Sequence, residues 1–174
     1  MSHTTNRNKA PEYYLRYIEL ANAKQMTVEE LLSDGEREWQ QLFQNIDDEA
    51  AEKPYADGKW SLKELIQHVI DVERVMSYRA LMFARGTEKR LVGFDHDQFV
   101  SRSNANNRTL LNLMEESAVV RSSTIHLFKS FSQQMLEKEG HFSDNDATAS
   151  VEALGYIIAG HQLHHMKVVQ EKYL

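Results

Sequence analysis

Three of the eight histidines in this 174-residue chain fall within five residues near its end: His161, His164 and His165. A helix advances about 100° per residue, so residues four apart lie about 40° apart around its axis. His161 and His165 therefore share one helical face, where two imidazoles can reach one divalent metal ion. His164 is displaced from His161 by roughly 60° to the other side, toward the edge of the helix.

A third histidine lies on the apolar stripe of an earlier predicted helix. Leu65 precedes His68 by three residues and Val72 follows it by four, so the three side chains share a face. Three imidazoles with an open fourth position are typical of a catalytic metal site, where a bound water is acidified toward neutrality. Neutral imidazoles suit zinc, nickel, iron, cobalt and copper, and the spacing does not choose among them.

The alternative interpretation is that these histidines are ordinary core residues. A pair of histidines four apart on a helix often arises by chance. Burial of three imidazoles without a shared task is costly, however, and this favours the metal site. His3, His126 and His141 show no comparable pattern, and we assign them no role.

Three charged residues are candidates for supporting the site: Asp71, Glu73 and Arg121. Arg121 falls near the inner stripe of the third predicted helix, and a buried arginine needs an anionic partner. That partner is either a substrate carboxylate or, as we favour, an acid of the second helix, Asp71 or Glu73. These two acids can also orient the imidazoles, or simply lie on a solvated face. The stretch Gly93–Asp97 contains two acids and a histidine and predicts a rim of the site.

Composition narrows the class of protein. Apolar residues make up 41% and charged residues 26%, as in ordinary folded domains. The chain has no cysteine, which excludes disulfides, thiolate metal sites and cysteine nucleophiles. A net charge of −6 argues against nucleic-acid binding. No stretch approaches the roughly 20 apolar residues that span a bilayer, and the first nine residues do not resemble a signal peptide, so we expect a cytoplasmic protein without membrane contact.

Four amphipathic segments must position these residues. The first opens at Thr27 and the second at Ser61, and each has a glutamate three residues later, which indicates a capping box. The second should end near Ala84, before Gly86. The third is predicted over about residues 104–135 and the fourth from Thr148 or Ser150 almost to the last residue.

This pattern predicts an all-α fold, a four-helix bundle without strands. The connection over residues 85–103 is the longest inside the predicted bundle, and it either crosses over or covers one end. Residues 1–25 are predicted to form an N-terminal arm, loose or docked through its tyrosines, and residues 26–174 a single domain.

Three blocks of the sequence form one set of motifs. Residues 58–74, GKWSLKELIQHVIDVER, resemble the signature of the second helix of the DinB/YfiT-like superfamily. Residues 78–86 and Gly93–Asp95 continue the similarity, and residues 159–165, AGHQLHH, resemble the motif of its last helix. The blocks occur in the family's order and span nearly the whole chain.

The resemblance implies a four-helix bundle with a non-consecutive helix order and a crossover loop. It also implies a divalent metal on His68, His161 and His165, the three histidines that the helical spacing selects. Nickel or zinc is the first expectation, followed by iron, manganese or cobalt. Many family members are homodimers. The sequence departs from the family at Gln162, where a carboxylate is common, which puts an acid–base role at that position in doubt.

Several relatives join a low-molecular-weight thiol to an electrophile, so the resemblance implies a metal-dependent transferase acting on a small molecule. Since the chain has no cysteine, the thiol would come from a substrate. The first alternative is a metal-dependent hydrolase, which needs the same ligands. The others are a non-catalytic bundle that binds a metal or a small molecule, and a metal-free bundle whose dimer interface is its function.

Overall fold

The structure, a computed structural model, describes residues 9–87, 89–142 and 147–174. In chain order its elements are α1 (Glu12–Asn22), α2 (Val28–Phe43), α3 (Asp48–Ala51), α4 (Leu62–Ala84), α5 (His96–Ser101), α6 (Leu110–Lys129), α7 (Gln133–Leu136), β1 (Glu139–His141), β2 (Thr148–Ser150) and α8 (Val151–Lys172). The four long helices α2, α4, α6 and α8 form the predicted four-helix bundle. Within these described ranges, no helix combines the length and the apolar character that crossing a membrane requires.

The helix starts follow from local capping. The Thr27 hydroxyl accepts the backbone N–H of Glu30, and the Glu30 carboxylate accepts the backbone N–H of Thr27 at 2.9 Å. Ser61 and Glu64 form the same reciprocal pair at the start of α4, with distances of 3.1 and 2.8 Å. Both predicted capping boxes are therefore confirmed. Helix α4 ends at Ala84, as the sequence predicts.

The third helix is shorter in the structure than the predicted range of residues 104–135. Asn104 adopts a left-handed conformation with φ of 59°, so the chain makes a short 3-10 turn over Ala105–Asn107 instead of starting an α-helix. Helix α6 begins only after Thr109, whose side chain accepts the N–H of Asn112. It ends at Lys129, and Ser132 caps α7 separately.

The structure also contains a two-stranded antiparallel sheet, whereas the sequence pattern predicts no strand. Strands β1 and β2 pair antiparallel, with Gly140 opposite Ala149. Each strand has three residues, which is too short for an alternating pattern to be visible. Gly140 is needed here because a Cβ would overlap the ring of Phe83 on α4.

The helix order in the bundle is non-consecutive, as the resemblance implies. Helix α4 packs against α6 and α8, and α2 packs against the same two helices. Helices α2 and α4 therefore lie diagonally, and so do α6 and α8. The connections between diagonal helices run from α2 to α4 and from α6 to α8. Helices α4 and α6 are neighbours, so the predicted connection over residues 85–103 does not cross the bundle.

Helix α1 lies against α8, the helix that carries two of the candidate histidines. Ile18 and Ala21 are buried in the apolar core, and Tyr17 is almost fully buried. The two helices approach closely because residue 160 is glycine: a Cβ there would lie 1.9 Å from the backbone oxygen of Tyr17. The described part of the predicted N-terminal arm is thus a docked helix. The boundary between that arm and the domain stays a prediction.

Substitution Gly160→Ala should destabilise the protein. Alanine favours a helix over glycine by about 1 kcal/mol, but its Cβ would push α1 away from α8. We expect a net loss of about 1–3 kcal/mol in the free energy of unfolding, measured by urea denaturation. Gln170→Ala, at an exposed position of the same helix, should stay within about 0.5 kcal/mol of the wild type. An unchanged or raised stability of Gly160→Ala would contradict the close contact.

Candidate metal centre

The packing of α4 against α8 brings three imidazoles together. The Nε2 atom of His161 lies 3.1 Å from Nε2 of His68 and 3.2 Å from Nε2 of His165. One nitrogen from each of the three rings lies within 4.8 Å of the other two. Zinc–nitrogen bonds of about 2.0–2.1 Å in a tetrahedral shell place ligand nitrogens about 3.3 Å apart. The spacing therefore suits a shared divalent ion.

Burial keeps these three imidazoles neutral at neutral pH. Loss of solvent, with smaller effects of His96 and His164, lowers the pKa of His68 to about 4. Burial and the neighbouring His68 lower the pKa of His165 to about 2. Burial and the neighbouring His165 and His68 lower the pKa of His161 well below its ordinary value. A neutral imidazole offers a lone pair, which is the form that binds a metal.

The convergence of the rings also poses a hydrogen-bonding problem that a cation solves. Nε2 of a neutral imidazole has either one N–H or one lone pair, so Nε2 of His161 can form a well-directed hydrogen bond with only one of its two neighbours at a time. The other close contact between ring nitrogens then lacks a well-directed hydrogen bond. A single cation at the centre would accept all three lone pairs, so the donor set fits a divalent metal.

Aromatic packing holds the rings in place. The Trp60 ring lies 4.8 Å from the His68 ring, and the Tyr17 ring lies edge-on to His161 at 5.2 Å, both measured between centroids. The buried Nδ1 atom of His165 has no hydrogen-bond partner in the described part of the chain. Ring contacts with His161 and His164, at 4.5 and 5.1 Å, flank that imidazole instead.

Of the two acids that the sequence offers as partners of Arg121, Asp71 and Glu73, the structure pairs it with Glu73. Nε and Nη2 of Arg121 donate to the two carboxylate oxygens of Glu73 at 2.8 and 2.7 Å. Its Nη1 donates to the backbone oxygen of Leu32 at 3.0 Å and to Oε1 of Gln162 at 2.7 Å. Arg121 and Glu73 are both almost fully buried. The arginine is thus bound by groups of the protein itself.

Asp71 faces a different environment. Its carboxylate accepts a hydrogen bond from Nε2 of Gln67 at 2.9 Å and lies 3.9 Å from Nη1 of Arg74. Burial raises the pKa of Asp71. In the described ranges, neither Asp71, Glu73 nor Arg121 forms a hydrogen bond with the three histidines. No direct contact among the described residues therefore supports the predicted role of these three residues in orienting the imidazoles.

A cavity of about 670 Å³ opens beside His68 and His161. Its walls include Tyr14 and Tyr17 from α1, Met76 and Arg79 from α4, and Phe142 after β1. Gly93, Phe94 and His96 line it as well, in agreement with the predicted rim. Sequence reasoning missed the α1 wall and Arg79. In the sequence, only the tyrosines at positions 13, 14 and 17 indicated that this segment packs on the domain. Their spacing does not predict the surface against which they pack.

Comparison with known families identifies the fold. A sequence model of the DinB superfamily matches residues 31–169, most of the chain, including all three histidines. The chain belongs to the DinB superfamily. The match starts inside α2, so α1 lies outside it. No curated protein matches this chain.

A solved DinB-like structure shares the architecture. YfiT from Bacillus subtilis superimposes with a TM-score of 0.75 over 83% of this chain and 82% of its own. It is described as a probable metal-dependent hydrolase with an unusual four-helix bundle topology. The sequence identity is 14%, so this similarity shows the fold alone.

Substitution Glu73→Gln should strongly destabilise the bundle. It leaves the Arg121 charge buried without its counter-charge, and breaking such a pair costs about 3–5 kcal/mol. The measurement is the free energy of unfolding in urea. Asp34→Asn breaks the exposed Asp34–Arg37 pair instead and should cost less than about 1 kcal/mol. Equal losses in the two variants would contradict a buried, paired Arg121.

Proposed function

We propose that this protein is a metal-dependent enzyme in which His68, His161 and His165 hold a divalent metal beside a small-molecule cavity. The convergence of three neutral Nε2 atoms at one point carries the proposal. A metal bound there would lower the pKa of a coordinated water or thiol and so supply a nucleophile at neutral pH. Nickel or zinc is the first candidate, with iron, manganese or cobalt next, since all accept imidazole ligands.

The residues of the chain have three tasks in this proposal. Burial holds the imidazoles neutral, so that their lone pairs are available without loss of a proton. Trp60 and Tyr17 pack on two of the rings and limit their rotation. Met76 and Phe142 line the cavity with apolar surface, which favours a substrate with an apolar body.

The first candidate reaction is the transfer of a low-molecular-weight thiol to an electrophilic small molecule, as the family resemblance implies. The second is hydrolysis, which the similarity in fold to YfiT supports. Both reactions use the same three histidines, and the nucleophile distinguishes them. The remaining alternatives are a bundle that binds a metal or a small molecule without turnover, and a metal-free bundle whose dimer interface is its function. The homodimer and the cytoplasmic location stay predictions.

Metal content tests the ligand set. Protein purified without a metal-affinity step should contain about one divalent ion per chain, measured by elemental mass spectrometry. We expect His165→Ala to lose this metal, because it removes one of three ligands. His164→Ala is the matched control, since His164 is the adjacent histidine, half-buried and 5.1 Å from the His165 ring. Metal retained equally by both variants, or absent even after reconstitution with zinc and nickel, would contradict the site.

Activity assays then separate the reactions. Metal-loaded protein is incubated with glutathione or bacillithiol and an electrophilic arene, and separately with an activated ester without thiol. Thiol consumption that requires both substrates indicates a transferase, and ester cleavage without thiol indicates a hydrolase. Either activity should be lost in His165→Ala and kept in His164→Ala. Stoichiometric metal without turnover in any assay favours the non-catalytic bundle.

A further inference from the structure

Arg79 is a buried cation on the wall of the cavity that also borders His68 and His161. Only 3% of its surface is exposed. Its Nη2 donates to the backbone oxygen of Val92 at 2.9 Å, and its Nη1 donates to the hydroxyl of Tyr14 at 3.4 Å. The guanidinium lies over the Phe142 ring, 4.8 Å from its centroid. All of these partners are neutral.

Arg79 differs from the other buried cations in this respect. Across residues 9–87, 89–142 and 147–174, Arg121 is paired with Glu73, and Lys63 contacts two carboxylates. Within the same residues, no carboxylate lies at ion-pair distance from Arg79. A buried charge without a counter-charge is costly, since its hydration is lost. The environment of Arg79 therefore favours the binding of an anion from outside the described residues.

The fixed charges of the described residues that line the cavity sum to a positive value. Arg16, on the α1 wall, has no carboxylate within ion-pair distance among the described residues, and Glu12 is the only described acid that lines the cavity. With the three histidines neutral, two guanidinium groups face one carboxylate, even before any metal is counted. The described lining of the cavity therefore has a net positive charge, in a protein whose overall net charge is −6. Such a local field favours an anionic ligand.

We propose that the cavity binds a small molecule with a carboxylate or phosphate group, which pairs with Arg79 while its apolar body packs against Tyr14 and Phe142. The inference rests on the proposed function, because it names the substrate class of the same site. The planar guanidinium fork matches both anions. Burial raises the pKa of Tyr14, so its hydroxyl keeps the proton and can donate it in a hydrogen bond to the same anion.

Matched charged and neutral probes test the proposal. Isothermal titration calorimetry on the full chain, as purified and after chelation, compares phenylacetate and phenyl phosphate with the neutral amide phenylacetamide. At least one anion should bind at least about tenfold more tightly than the amide, since hydrogen bonds to charged groups are the stronger ones. The chelated protein is decisive, because a bound metal also attracts anions. The anion that binds more tightly shows whether the site prefers a carboxylate or a phosphate.

Two variants assign the effect to Arg79. Arg79→Met should abolish the preference for the anion and leave the affinity for phenylacetamide within about twofold of the wild type. Arg85→Met removes an exposed arginine just beyond the end of the same helix, outside the described lining of the cavity, and should leave the preference unchanged. If Arg79→Met does not fold, the Nε–H resonance of Arg79 in the ¹⁵N spectrum of the wild type should shift with the anion and not with the amide.

Three results would overturn the proposal: no binding of either anion, equal affinity for charged and neutral probes, or a preference that survives in folded Arg79→Met. An unmoved Arg79 resonance would overturn it in the same way. Failure of the proposed function has a different signature, because it appears as absent metal. The preference for the anion is measured in chelated protein and does not depend on a metal, so it tests the anion site independently of the metal site.

Discussion

One side chain joins all four long helices of this bundle. Arg121, on α6, binds Glu73 on α4, the backbone oxygen of Leu32 on α2 and the side chain of Gln162 on α8. Residue 35 on α2 is glycine and leaves space for the hydrogen bond between Arg121 and Gln162. A Cβ at this position would lie 2.6 Å from Oε1 of Gln162. Gln162 follows His161 directly. The ion pair with Glu73 and the hydrogen bond to Gln162 therefore link α4 to α8 close to the three imidazoles.

The site combines two consequences of burial. The imidazoles lose solvent and remain neutral, which suits them to a metal. Arg79 cannot become neutral in the same way, because a guanidinium keeps its proton in proteins. The same cavity thus borders neutral donors and a fixed positive charge. A metal at the histidines and an anion at Arg79 would place the reacting group and the recognised group of a substrate at different parts of one wall.

The sequence was sufficient for features that depend on helical period. The spacing of His161 and His165, and the place of His68 on an apolar stripe, predicted three histidines that the fold does bring together. The need of Arg121 for an acid was also visible, although the choice between Asp71 and Glu73 depended on the rotation of α4. The docking of α1 through Gly160 and the approach of Phe142 to Arg79 could not be predicted, because they arise between segments far apart in the chain.

Anomalous diffraction from crystals grown with the metal found in the purified protein tests the central claim most directly. The account predicts one strong peak about 2.0–2.1 Å from the Nε2 atoms of His68, His161 and His165, with a further position open toward the cavity. A fully loaded crystal with its peak elsewhere, or with a peak bound by fewer than these three histidines, would contradict it.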